Sequence, residues 1–130
     1  MNRIRVYVAG ALSHKPGTSA EEDAERGPTK VVTDYIQNLA KMCQVSAKLR
    51  EEGFFPYMPG MDILLGLVAG TWEEDMYREI GMAYLEVCEA VYVLNITWGV
   101  NREIERAEEF NIPVFYSLGD LYAFRDREND

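Results

Sequence analysis

Two hydrophobic periods alternate along the chain, one that suits strands and one that suits helices. Residues 4–9, IRVYVA, are β-branched and aromatic and run into Gly10, which predicts a first strand closed by a glycine turn. Residues 11–29 carry Pro-Gly and Gly-Pro pairs and no apolar period, so a long loop is expected there. From about 30 to 52, Val32, Tyr35, Ile36, Leu39, Met42, Cys43, Ser46 and Leu49 recur at helical spacing, with Gly53 as the stop. Residues 54–58, FFPYM, read as a short strand that Pro56 weakens. Residues 59–71 hold Ile63, Leu64, Leu65, Leu67 and Val68 between glycines. They fit either a short buried helix or an apolar flap that a neighbouring subunit covers.

A further helix is expected over about 72–87, with Met76, Ile80, Ala83, Tyr84 and Val87 as its stripe. Residues 90–95, AVYVLN, are almost wholly apolar, the pattern of a strand buried on both faces. A turn at 96–100, a helix over 101–110 facing inward with Ile104 and Ala107, and a strand at 112–116 follow. The tail is expected to hold one short helical turn before fraying. This alternation predicts a flavodoxin-like or Rossmann-like three-layer α/β sandwich with a mostly parallel sheet. Ligands of such sheets sit beyond the carboxyl ends of the strands, where strand order reverses. The loop after Ala9, the loop after Met58 and the turn after Asn95 are therefore the candidate site segments.

Length and composition narrow this picture. A chain of 130 residues with 48% hydrophobic and 27% charged residues fits one globular domain over 1–130. Thirteen basic against 22 acidic residues give a net charge of −9, which argues against a nucleic-acid polymer as partner. No apolar run reaches the length of a membrane span, and the N-terminus lacks the pattern of a signal peptide, so a cytoplasmic location without membrane attachment is expected. Cys43 and Cys88 cannot form a disulfide framework; both fall on expected inward positions as small hydrophobes. His14 is the only histidine, so neither a histidine metal site nor a cofactor is expected.

Candidate chemistry concentrates after the third strand, in Thr97-Trp98-Gly99-Val100-Asn101-Arg102-Glu103. A glycine turn leading into a helix presents free amides, which makes an anion site, and the Thr97 hydroxyl adds a donor. On physical grounds alone, Glu103 is better explained by the preference of acidic residues for helix N-termini. A phosphate nearby would raise its pKa and the helix terminus would lower it. Trp98 suits base stacking or plain packing. Asp62 suits a sugar hydroxyl or an ordinary turn, and Tyr7, in an apolar strand, a core position.

Several of these segments together resemble the nucleoside 2-deoxyribosyltransferase superfamily, which includes 2′-deoxynucleoside 5′-monophosphate N-hydrolases. Thr97, Gly99, Glu103 and Ala107 match its hydroxyl-or-carboxylate, glycine, glutamate and alanine spacing. Leu85 to Val93 resembles its approach to the strand, with Glu89 where aspartate is common. Val6 to Gly10 is similar to its first strand and glycine turn, and Asn111 to Val114 to its last strand. Asn38, Ala47, Leu49, Gly53, Pro56 and Pro59 are similar to a run found in its uncharacterised branch.

The resemblance implies an N-glycosidase or deoxyribosyltransferase with Glu103 as nucleophile and Tyr7 beside the sugar. It implies Gly10, Asn38, Thr97 and Gly99 at the ligand, with Thr97 tilting the substrate toward 5′-phosphates, and a homo-oligomer with shared sites. One departure stands out. The family carries an aspartate eight residues before the acid at Glu89, and this chain has Gly81 there. A non-catalytic nucleotide-binding module of the same fold is therefore the competing expectation, and a purely structural α/β domain the third.

Overall fold

The structure, a computed structural model, describes residues 3–11, 21, 25, 27–70, 73–97 and 99–130. The long loop expected over 11–29, with Ser13, His14 and Lys15, falls mostly outside them. In chain order the elements are β1 (Arg5–Ala9), α1 (Pro28–Glu51), β2 (Phe55–Tyr57), α2 (Gly60–Ala69), α3 (Glu74–Leu85), β3 (Ala90–Val93), α4 (Val100–Glu109), β4 (Val114–Phe115) and α5 (Leu118–Glu128). All four strands are parallel, in the order β2-β1-β3-β4. The chain thus steps from β1 to one side and then crosses to the other, so strand order reverses between β1 and β3. β2 lies on an edge, where Pro56 has no inner ladder to break.

Alternation along the strands sorts side chains into two cores. Val6, Val8, Ala90 and Tyr92 face one side with Met42 and Leu49 of α1 and Leu121 of α5. Tyr7, Ala9, Val91 and Val93 face the other with Leu85 of α3 and Val100 and Ala107 of α4. The result is the expected three-layer α/β sandwich, consistent with a flavodoxin-like or Rossmann-like fold. At the amino ends of the strands, the Arg5 guanidinium forks onto Glu89, with Nε–Oε1 at 3.0 Å and Nη2–Oε2 at 2.7 Å, and Arg5 N donates to Glu89 Oε1 at 2.9 Å. Glu89 thus fastens β1 to the entry of β3 at the end of the sheet away from the carboxyl ends.

Four details differ from the sequence pattern. The inward face of α1 is Asp34, Asn38, Met42, Ser46 and Leu49, while Val32 and Ile36 are 56% and 59% exposed. Apolarity misleads there because the first half of the buried face is polar. Cys43 lies on the exposed side and only Cys88 is buried. α3 packs through Gly81 and Leu85, and its supposed stripe residues Met76 and Tyr84 are exposed; a glycine contributes nothing to a hydrophobic stripe, so the contact face was invisible. The tail forms the 11-residue α5. Ser117 Oγ accepts from Asp120 N at 3.2 Å as its N-cap, and Arg125 Nη1 reaches the Glu52 carbonyl at 2.7 Å.

The apolar stretch forms α2, which is a helix but not a buried one: Met61, Leu64, Leu65 and Val68 are exposed. α2 touches both α1 and α3, and Tyr35 Oη donates to Gly60 O at 2.8 Å. Among the described residues, no helix is long and apolar enough to cross a membrane.

Gly66 fixes the α2–α3 contact, because a Cβ there would lie 2.6 Å from the Cζ of the Tyr77 ring. Glycine to alanine inside a helix ordinarily gains about 1 kcal/mol. Gly66→Ala is expected to reverse that sign, costing about 1–3 kcal/mol as the ring is displaced, measured by urea unfolding.

Candidate functional site

The carboxyl ends of β1 and β3 meet where strand order reverses. Ala11 N donates to Asn95 Oδ1 at 2.6 Å, joining the two strand exits. A Cβ on Gly10 would come within 3.3 Å of Leu94 Cβ, so this exit needs a minimal residue. Asn95 escaped the sequence reading; the available signal was a polar residue ending an otherwise apolar strand.

Past β3 the chain turns into α4. Thr97 is buried, and its Oγ1 accepts from Val100 N at 3.3 Å. The Thr97 hydroxyl thus accepts from the first amide of α4 with its oxygen and keeps its proton to donate. Gly99 occupies the N-cap position, and Glu103 lies in the first turn. Trp98 falls outside the described residues, as does Trp72.

Glu103 reaches back over β1. Tyr7 Oη donates to Glu103 Oε1 at 3.1 Å, while Glu103 Oε2 is buried without a hydrogen-bond partner among the described residues. Burial pushes the Glu103 carboxyl up to about 7, and the Tyr7 hydrogen bond opposes that rise only in part. The Tyr7 phenol is itself held well above its usual range, first by burial and then by the neighbouring Glu103 charge. Removal from water sets the direction for Glu103, and linear sequence does not carry that.

Position 81 belongs to the same site. A Cβ on Gly81 would stand 3.3 Å from Tyr7 Oη. The residue at which the family resemblance implies an aspartate thus lies against the tyrosine that holds Glu103. Asp75 and Glu79, the nearby acids on α3, are exposed on its outer side, and Asp75 pairs with Arg78 at 4.0 Å.

A second carboxylate–phenol pair adjoins the first. Tyr57 is the register partner of Tyr7 across the β1–β2 pair, and their rings lie 5.6 Å apart. Tyr57 Oη donates to Asp62 Oδ2, in the first turn of α2. Tyr57 also stacks on Tyr84, with ring centroids 4.7 Å apart and an interplanar angle of 12°. Burial raises the Asp62 carboxyl, against the lowering effect of the Tyr57 hydrogen bond.

Gly10, Thr97, Gly99, Glu103 and Asp62 are thus at the strand exits or the helix starts that follow them, and Tyr7 joins Glu103 from the middle of β1. Asn38 lies elsewhere, buried on α1 in the layer that covers Val6 and Val8. Among the described residues, no group of histidine, cysteine or acidic side chains is arranged to hold a metal ion. No protein-family model matches the chain, and no curated protein matches it either.

The buried acid predicts a pH signature. Its unfolded-state pKa is near 4.5 and its folded value about 7, so the folded state holds the proton longer. Its stabilising contribution is complete below about 4.5 and is lost as pH rises through about 7. Glu103→Gln removes the ionisable group. Its Tm gain over wild type should be absent at acid pH, grow up to pH 7 and then level off, at a stability difference on the order of 3 kcal/mol. Thermal unfolding of both proteins across pH checks this; a difference that does not vary with pH would refute burial of the charge.

Proposed function

We propose that this protein cleaves or transfers at the N-glycosidic bond of a nucleoside 5′-monophosphate or nucleoside, with Glu103 as the nucleophile. The observation that carries the reading is the division of labour on one carboxylate. Oε1 is held by Tyr7 and Oε2 is buried and unengaged, beside the glycine turn at the strand-order reversal. Such a carboxylate is aimed and poorly solvated, which suits attack on a carbon carrying developing positive charge. Bond formation from Oε2 to the anomeric carbon breaks the bond to the base nitrogen, and the electron pair leaves with the base. Water or a second base then resolves the glycosyl ester. The turn at Thr97 and Gly99, with the free Thr97 proton and the α4 amides, suits a 5′-phosphate. The likeness of Thr97, Gly99, Glu103 and Ala107 to the nucleoside 2-deoxyribosyltransferase pattern supports the same roles.

Gly81 favours a second reading, a nucleotide-binding module that releases no base. Without a carboxylate against Tyr7, the leaving base loses the proton donor that the family resemblance implies. Gly81→Asp separates the two readings: gain of base release in a silent protein identifies the missing acid.

Met61, Leu64, Leu65 and Val68 of α2 and Val32 and Ile36 of α1 are exposed apolar residues on two helices that touch. A patch of this kind supports a homo-oligomer assembled through these two helices near the site. Light scattering at micromolar concentration should then give at least twice the 14.9 kDa chain mass. Leu65→Glu should return it toward the monomer.

Incubation with deoxynucleoside 5′-monophosphates, followed by chromatography for free base, tests the activity. Glu103→Ala is expected to abolish base release and keep ligand binding, while Glu105→Ala, on the exposed face, keeps the wild-type rate. For wild type, kcat/KM should rise with pH through about 7, as Glu103 ionises. Thr97→Asp should weaken phosphorylated ligands selectively. Equal losses in the two glutamate variants would end the assignment of Glu103.

A further inference from the structure

The Tyr7–Glu103 pair has a counterpart one strand away, and the proposed reaction leaves it without a task. Tyr57 ends β2 as Tyr7's register partner, its ring against Tyr7's at 5.6 Å, and its hydroxyl is bonded to Asp62. Each pair joins a strand tyrosine to a carboxylate in the first turn of a helix that follows a strand, Glu103 after β3 and Asp62 after β2. Both pairs lie at the carboxyl end of the sheet. The two carboxylates differ in setting. Glu103 Oε2 is closed off from water, whereas Asp62 is half-buried and retains access to it. Tyr7 links the two pairs, bonded to Glu103 and ring to ring with Tyr57, and it feels the charge of both carboxylates.

Resting on the reading of Glu103 as nucleophile, we infer that Asp62, held by Tyr57, is the base that activates water against the glycosyl ester on Glu103. In that step a water oxygen bonds to the anomeric carbon and the bond from that carbon to the Glu103 oxygen breaks. The electron pair returns to Glu103, and the water proton passes to Asp62. A carboxylate that accepts a phenolic hydrogen bond is kept ionised and oriented, the state a base needs before the step. The rise from burial makes Asp62 a better proton acceptor than a fully solvated aspartate. This position supplies from α2 a group that α3 lacks at Gly81. It assigns Asp62 to the second half of the reaction, after the base has left.

Rapid-quench kinetics on the full chain separate the two halves, using the deoxynucleoside 5′-monophosphate that gives most base with wild type. Asp62→Asn should keep a first-turnover burst of free base close to the site concentration. Its steady-state rate should fall about 10²–10⁴-fold, the span of a lost general base. Intact-mass measurement should then find the sugar phosphate covalently held on the protein, absent in Glu103→Ala. Sodium azide, which needs no deprotonation to attack, should restore turnover of Asp62→Asn and yield the glycosyl azide. Tyr57→Phe, which keeps the carboxylate and frees it, should show the same split with a smaller loss. Burst and steady state falling together in both variants, or azide without effect on Asp62→Asn, would overturn the role of Asp62 and leave Glu103 untouched. Wild type that forms neither free base nor adduct would instead overturn the glycosidic reading itself, and this inference with it.

Discussion

Everything at the carboxyl end of this sheet turns on a carboxylate kept from water with a phenol as its hydrogen-bond donor. A buried glutamate costs several kcal/mol unless it is paired or neutral, and Glu103 has Tyr7 on one oxygen only. That arrangement constrains its neighbours. Tyr7 must stand at an inward position of the central strand β1, so the register of β1 against β2 and β3 is fixed around it. α3 must pass close above the hydroxyl without a side chain, which Gly81 allows. α4 must start immediately after the Thr97 turn so that its first turn overhangs β1. Changing any one of these leaves either an unpaired charge or a collision with the phenol.

Rigidity and chemistry are separated along the strands. The amino end is closed by a forked ion pair between Arg5 and Glu89. Between the ends, the two apolar cores hold the helices. At the carboxyl end the polar groups are only partly satisfied: Asn95 ties β3 to the chain after β1, and Thr97 accepts from the first amide of α4, but Glu103 keeps a free oxygen. Leaving such a group incomplete costs stability that the cores must offset, and proteins tolerate that expense where the group has work to do. The apolar face of α2 follows the same logic on a larger scale, since exposed leucines cost solubility unless something covers them.

The fold was legible because its signals are local. AVYVLN could be little other than a strand buried on both faces, and Gly10, Gly53 and Gly99 marked the punctuation around it. Thr97, Glu103 and Tyr7 were legible as candidates from spacing and type. What sequence concealed was relational. That Gly81 touches Tyr7, and that Tyr7 opposes Tyr57, depends on pairing between segments far apart in the chain. Asp62 looked like a turn aspartate because its partner, Tyr57, only becomes its neighbour once α2 folds back over the end of β2. The faces of α1 and α3 were misassigned for a related reason. Burial there follows what the sheet and adjoining helices present, and the contacting residues, Asp34, Asn38 and Gly81, are not hydrophobic.

The spacing of the two carboxylates has its own physical logic. Two acids in direct contact cannot both ionise, since each charge raises the pKa of the other. A carboxylate at position 81 would lie beside the Tyr7 hydroxyl and therefore close to Glu103, adding repulsion to a group that burial alone has pushed up to about 7. Asp62 is held by Tyr57 rather than by Tyr7, and burial and Tyr7 set the direction for Glu103. Each carboxylate thus has a phenol of its own as hydrogen-bond donor, which suits the proposed roles of nucleophile and base. Glycine at 81 is then more than a missing acid: it leaves Tyr7 its close approach and lets Glu103 ionise without a like charge at its side.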